Sequence, residues 1–248
     1  MLNTRTERVE PTGAEQGKLS HSALLTLWHL TDSALPTGGF AHSAGMEEWI
    51  NRGVIDNAAT FRAWLKAYLW QTSYNEALAL RTAMELSSAE EPNHQLEHLD
   101  HLCYASQAPS QIRSSTSAMG KRMARIGTII APDDPLVAWY DSSVKSKALH
   151  GNPGIAAGLV LRSREIPTDV GVQAFLFQLA ASMTQNAVRA IPLGQDTGQR
   201  VLVESYPLID EAAEATLHHS PRDLGVTVPN LEISQMEHEY LHTRMFIS

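Results

Sequence analysis

A single cysteine, Cys103, stands among 248 residues. A lone thiol can close no internal disulfide and offers no Cys pair for structural zinc, and it suits a reducing compartment. Cations are also scarce: 19 Lys and Arg against 27 Asp and Glu leave a formal net charge of −8. A chain with this balance lacks the clustered Lys and Arg that phosphate contacts require, which argues against general nucleic-acid binding. No apolar run approaches the ~18 residues that read as a membrane span. The polar stretch over residues 1–17 has no secretory pattern, so a soluble, cytoplasmic protein without a membrane role is expected. Several chemical signatures are missing as well. No G-x-x-x-x-G-K-[ST] loop, no G-x-G-x-x-G turn and no G-x-S-x-G elbow occurs, so nothing points to nucleotide, dinucleotide or hydrolase chemistry.

What is present is helical periodicity. Phe61, Trp64, Leu65, Tyr68 and Leu69 recur at i, i+3, i+4, i+7 and i+8, with Asn57 placed to cap them. Ile112, Thr116, Met119, Met123 and Ile126 form a second stripe behind Pro109, a residue suited to a first turn. Asp134-Pro135 reads as a cap and first-turn pair before Leu136, Trp139 and Tyr140. Val172, Phe175, Leu176, Leu179, Met183 and Ala187 make the longest stripe, opened by Pro167-Thr168. Pro207 falls inside a pattern running from about Gln195 to His219 and should kink or split it. Strand signals are confined to short runs at 128–131 and 226–228. Hydrophobic residues at 43% and charged residues at 19% are ordinary for a globular chain, and no linker separates domains. The expected fold is all-α: one bundle of roughly nine or ten helices. Residues 1–18 are expected as a flexible tail, 19–228 as the helical domain and 229–248 as a C-terminal partner-binding tail.

Candidate sites are few, and none requires chemistry. His94, His98 and His101 fall within about 60° of one another on a helix face, a spacing that suits a divalent transition metal. The competing reading is a solvated face opposite Leu96, Leu99 and Cys103. That reading is preferred, and no metal ligand, cofactor or catalytic residue is assigned. Arg113, Lys121, Arg122 and Arg125 form a basic stretch that either docks an acidic partner or is simply solvated. His218-His219 beside Pro221 reads as a loop feature. Pro36-Thr37-Gly38-Gly39, between Leu35 and Phe40, reads equally as a tight interhelical turn or as a surface that lets another chain approach. Arg189, near the end of the long helix, is favoured there by the helix dipole. The apolar finish Met245-Phe246-Ile247 is either tucked into the core or held for a partner. An enzyme with a helical pocket using His42, His150 or Arg189 is one rival hypothesis, and a metal carrier using the histidine stripe is the other.

Three of these tracts, at 32–47, 187–195 and 236–248 and in that order, resemble the urease accessory protein of the UreF type. The stretch at 109–125 resembles that family's Arg-rich helix. The resemblance implies an all-α homodimer that is a non-catalytic assembly factor. With a UreD/UreH-type accessory protein, such a factor binds apo-urease and recruits the GTPase UreG, which delivers nickel. It also implies partner-binding residues. In the tail these are His238, Glu239, Arg244, Met245 and Phe246, facing the UreD/UreH-type partner. At the end of the long helix Gln185, Arg189, Pro192, Gly194 and Gln195 belong to the dimer and GTPase-facing region. In the glycine-rich loop they are Leu35, Pro36, Gly38, Gly39, Phe40 and His42.

Overall fold

The computed structural model describes residues 19–32, 34–86 and 91–248; the expected N-terminal tail lies outside them. No strand occurs among the described residues, which form twelve α-helices and three short 3-10 turns. In chain order the helices are α1 (His21–Thr31), α2 (Met46–Asn51), α3 (Ala58–Ser73), α4 (Glu76–Met84), α5 (Pro92–Ser106) and α6 (Ser110–Ile130). They continue with α7 (Pro135–Lys145), α8 (Pro153–Ser163), α9 (Thr168–Ala190), α10 (Gln195–Glu204), α11 (Tyr206–His218) and α12 (Pro229–Glu237). The all-α expectation holds. The long helices fall where the periodicity placed them, whereas the short α2 and α12 show no stripe of their own and are held by packing against each other.

Local chemistry sets the helix starts. The Asn57 side chain accepts the amides of Ala59 and Thr60, and the Thr60 hydroxyl accepts the Asn57 amide in return, so two orphan ends are satisfied reciprocally. Asp134 accepts the amides of Leu136 and Val137, with Pro135 in the first turn where its missing N–H costs nothing. Pro207 divides the expected long pattern: α10 ends at Glu204, Ser205 turns, and α11 begins with the proline in its first turn.

The α4 and α8 pair forms the centre. Ala77, Leu78, Ala79 and Leu80 are fully buried, as is nearly every side chain from Ile155 to Leu161, the pattern of helices covered on all sides. Gly154 and Gly158 let the two backbones touch. A Cβ on Gly154 would sit 2.2 Å from the Glu76 carbonyl oxygen, and one on Gly158 would sit 2.5 Å from that of Leu80. Around this pair α6, α7 and α9 pack on α8, and α3, α9 and α11 on α4.

A buried polar lock ties α5 to the turn before α8. Asp100 accepts the Tyr140 hydroxyl at 2.7 Å and the amides of His150 and Gly151 at 2.7 and 3.0 Å. The Tyr140 oxygen in turn accepts the Asn152 amide at 2.8 Å. Burial, and then the Asp100 charge, push the Tyr140 hydroxyl well above its ordinary range. The same two causes push the buried Cys103 thiol well up, which makes it an unreactive core residue. No helix among the described residues is long and apolar enough to cross a membrane.

Candidate functional site

The loop between α1 and α2 is shaped by glycines, the first of the adjacent pair among them. Gly38 has φ +91°, which a side chain would strain, while Gly39 opens the 3-10 turn Gly39–Ala41 without positive φ. The close approach occurs at Gly45 instead. Its φ is +85°, and a Cβ there would lie 2.7 Å from Ser234 Oγ and 2.9 Å from Gln235 Cγ of α12. Arg122 of α6 donates to the Pro36 carbonyl at 3.0 Å, and Leu35 packs against the core.

The C-terminal residues lie on this loop. After α12 the 3-10 turn His238–Tyr240 buries His238, and residues 241–248 then run back across α2. The Ile247 amide donates to the Ala41 carbonyl at 2.8 Å, and the Ser43 amide donates to the Ser248 carbonyl. Exposed and buried side chains alternate over the last four residues of this strap. Phe246 and Ser248 point inward at 3% and 1% exposure, while Met245 and Ile247 point outward at 56% and 64%.

The end of α9 supplies the third side. Arg189, in its last turn, donates to the Phe40 carbonyl at 2.9 Å and holds its guanidinium 5.1 Å from the centre of the Phe246 ring. Asn186 donates to the His42 carbonyl at 2.8 Å. The three tracts singled out in the sequence therefore converge, and Arg189 does more than complement a helix dipole. Phe40 itself stays 62% exposed beside the strap.

His42 Nδ1 lies 2.8 Å from Ser248 Oγ, which reaches Ser115 Oγ at 3.1 Å. Ser248 is buried and engaged by both neighbours, so this group fastens the end of the strap to the loop and to α6. Burial lowers the His42 pKa from its ordinary 6.5. The neutral imidazole is thus favoured in the folded chain. As pH falls below 6.5 the unfolded chain takes up this proton first, and stability is lost until pH passes the lowered folded value. Denaturant titrations between about pH 7 and pH 5 should show this loss, and His42→Gln should flatten it; an unchanged slope in the variant would assign the effect elsewhere.

The remaining candidates take varied places. Glu239 accepts the Ser110 hydroxyl at 3.0 Å, and Arg244 donates to the carbonyls of Leu241 and Glu239. Gln185 is half-buried on α9, and Pro192, Gly194 and Gln195 form the exposed turn into α10. His94 and His98 are exposed, and His101 meets His150 edge-on at 5.4 Å, with His150 stacked on Tyr104 at 3.5 Å. Among the described residues no group of three or more His, Cys, Asp or Glu is placed to hold a metal. In the basic stretch, Arg113 donates to the Gln107 carbonyl and lies over the Tyr104 ring, and Arg125 sits 3.7 Å from Asp141. His219 is stacked on Tyr74 at 3.7 Å, and burial lowers its pKa. A cavity of about 150 Å³ lies beneath the loop, with His42, Tyr68, Glu76, Met119 and Ser248 among its walls. Burial raises the Glu76 carboxyl above its ordinary 4.5.

Sequence reasoning passed over Glu47, Ser115, Asn186 and Ser248, which fasten the loop to the strap. Glu47 closes the first tract, but an acid in a short helix carries no periodic signal of burial.

The UreF family model matches residues 55–206. Three relatives carry the name urease accessory protein UreF. That of Arthrobacter sp. (strain FB24) is 43% identical over 225 residues, covering 90% of this chain and 96% of the relative. That of Paenarthrobacter aurescens (strain TC1) is 39% identical over 231 residues, covering 93% and 100%. That of Bacillus sp. (strain TB-90) is 37% identical over 226 residues, covering 91% and 99%. A family match over more than half the chain, joined to identities of this size over nearly the full length of each relative, shows that the chain belongs to the UreF family of urease accessory proteins.

Proposed function

We propose that this protein is a cytoplasmic, non-catalytic assembly factor for the urease metallocentre, acting through surfaces that bind other proteins. In this reading it joins a UreD/UreH-type accessory protein, and the pair docks on apo-urease and recruits a UreG-type GTPase that delivers nickel. Nickel is cargo here and not a resident cofactor. The chain lacks a nucleotide loop of its own, so its part is to position the GTPase or to shift its conformational population.

One observation carries the reading. Phe40, Met245 and Ile247 are large, apolar and well exposed, yet the backbone beneath each of them is held by a hydrogen bond from or to another segment. Apolar anchors on an ordered frame are what a partner surface needs, because little entropy remains to be lost on binding. The UreD/UreH-type partner is assigned to this strap. The GTPase and a second copy of this chain are assigned to the end of α9 and the turn after it, around Gln185, Arg189, Pro192, Gly194 and Gln195.

Removing everything after α11 is a poor test, since Leu231 and Phe246 are buried and their loss would damage the fold. The double substitution Met245→Asp/Ile247→Asp changes only outward side chains. It should leave the melting temperature within a few degrees of wild type and weaken capture of the UreD/UreH-type partner about 100-fold or more. Full-strength capture by this variant would refute the strap assignment.

A further inference from the structure

The Glu47 side chain lies in the middle of the strap's anchorage, and every donor recorded on its carboxylate comes from the C-terminal segment. Oε2 accepts His238 Nε2 at 2.8 Å and the Phe246 amide at 3.1 Å, while Oε1 accepts the Met245 amide. His238 is itself 1% exposed and braced on its other nitrogen by Gln111 of α6 at 3.1 Å. Glu47 stands in the first turn of α2, behind the close contact of Gly45 with α12, so its backbone cannot drift from the segment it holds. Beside it Glu48 and Glu237 are joined through Arg52, at 2.6 and 2.7 Å. Those two acids are occupied by Arg52, whereas the Glu47 carboxylate is taken up by the strap and His238. A carboxylate accepting two successive or near-successive backbone amides fixes their direction, and with it the side of the strap on which each side chain emerges. Met245 and Phe246 are the two residues so held, one outward and one inward.

We infer that Glu47 is a positioning residue for partner binding: it pre-orders residues 245–247 so that Phe246 seats on Arg189 and Met245 and Ile247 face outward before any partner arrives. The inference rests on the strap being the partner-facing segment. Glu47 touches no partner in this scheme; it acts through the strap by removing an ordering cost from association.

The test uses the full chain, with amide hydrogen exchange on the free protein and binding to a purified UreD/UreH-type partner. Glu47→Ala should speed exchange at the Met245 and Phe246 amides by about tenfold or more, while amides in α4 and α8 keep their protection. Partner affinity should fall by a comparable factor. Glu47→Gln has the same size but sets an amide donor against amide donors, so it should loosen the strap too. A space-filling role would leave Gln like wild type, and that result would overturn the inference, as would unchanged exchange at both amides in Glu47→Ala. The Met245→Asp/Ile247→Asp variant separates the two levels. If it abolishes capture while a loosened Glu47→Ala strap binds normally, the positioning role fails and the partner surface stands. If neither variant alters capture, the partner surface itself is misassigned and the positioning role falls with it.

Discussion

Gly158→Leu is expected to unfold the protein. A Cβ at this position would lie 2.5 Å from the Leu80 carbonyl oxygen and 3.0 Å from Ala83 Cβ. The first of these is helix backbone and cannot swing aside as a side chain can. The rest of a leucine would have to enter a contact between two helices that are buried all round, so α4 and α8 would be forced apart along their length. Overpacking a core costs about 1–3 kcal/mol when neighbours can adjust, and more when they cannot. Here a cost above about 5 kcal/mol is expected, comparable with the whole stability of a typical domain. The gain of about 1 kcal/mol from removing a mid-helix glycine does not offset it. Circular dichroism and denaturant titration should show no cooperative native transition. Gly39→Ala is the control: its new Cβ would meet nothing closer than 3.7 Å. A Gly158→Leu protein that melted within a few degrees of wild type would contradict the close α4–α8 contact.

Asp100→Ala should be the next most damaging change, at about 3–5 kcal/mol. Its carboxylate accepts three donors, and Asp100 and Gly151 are buried from water. Truncation leaves the Tyr140 hydroxyl and the Gly151 amide without their acceptor in a place that water does not easily reach, and takes the acceptor of the His150 amide as well. The backbone at 151–152 also packs directly on α6, where a Cβ on Gly120 would be 2.4 Å from it, so the turn has no room to find new partners. Asp100→Asn keeps one oxygen acceptor and should cost less than Asp100→Ala. Tyr140→Phe removes one donor and also the acceptor of the Asn152 amide, and should fall between wild type and Asp100→Ala. Denaturant titration of the three variants checks the order. Equal stability of Asp100→Ala and wild type would show that the network contributes nothing.

Much of this was legible from the chain itself. The stripes at 61–69 and 172–187, the caps at Asn57 and Asp134 and the break at Pro207 are local events, decided by side-chain spacing and by backbone donors within a turn or two. Charge and composition are properties of the chain at any conformation, so they argued against nucleic acid before any fold was known. The three family tracts could likewise be recognised one by one.

Their meeting could not be read in that way. Arg189 at the end of α9 was accounted for by the helix dipole, yet its guanidinium bridges the Phe40 carbonyl and the Phe246 ring, contacts that span long stretches of chain. Phe246 and Met245 stand side by side as partner-binding candidates, but the path of the strap over α2 turns one inward and the other outward. His101 was grouped with His94 and His98 by helical spacing, and a residue from another element, His150, is its ring neighbour. Glu47 and Asp100 are acids that no local pattern marks as buried, and on each of them donors from distant segments converge.

Sequence alone thus determined the all-α class, the positions of the long helices, the acidic balance and the family, because these depend on residue type and short-range spacing. The tertiary structure decided which acids are buried, which glycines touch a neighbouring backbone and which face of the strap is left open. Those outcomes depend on contacts between residues far apart in the chain, and no local pattern of spacing or charge carries that information.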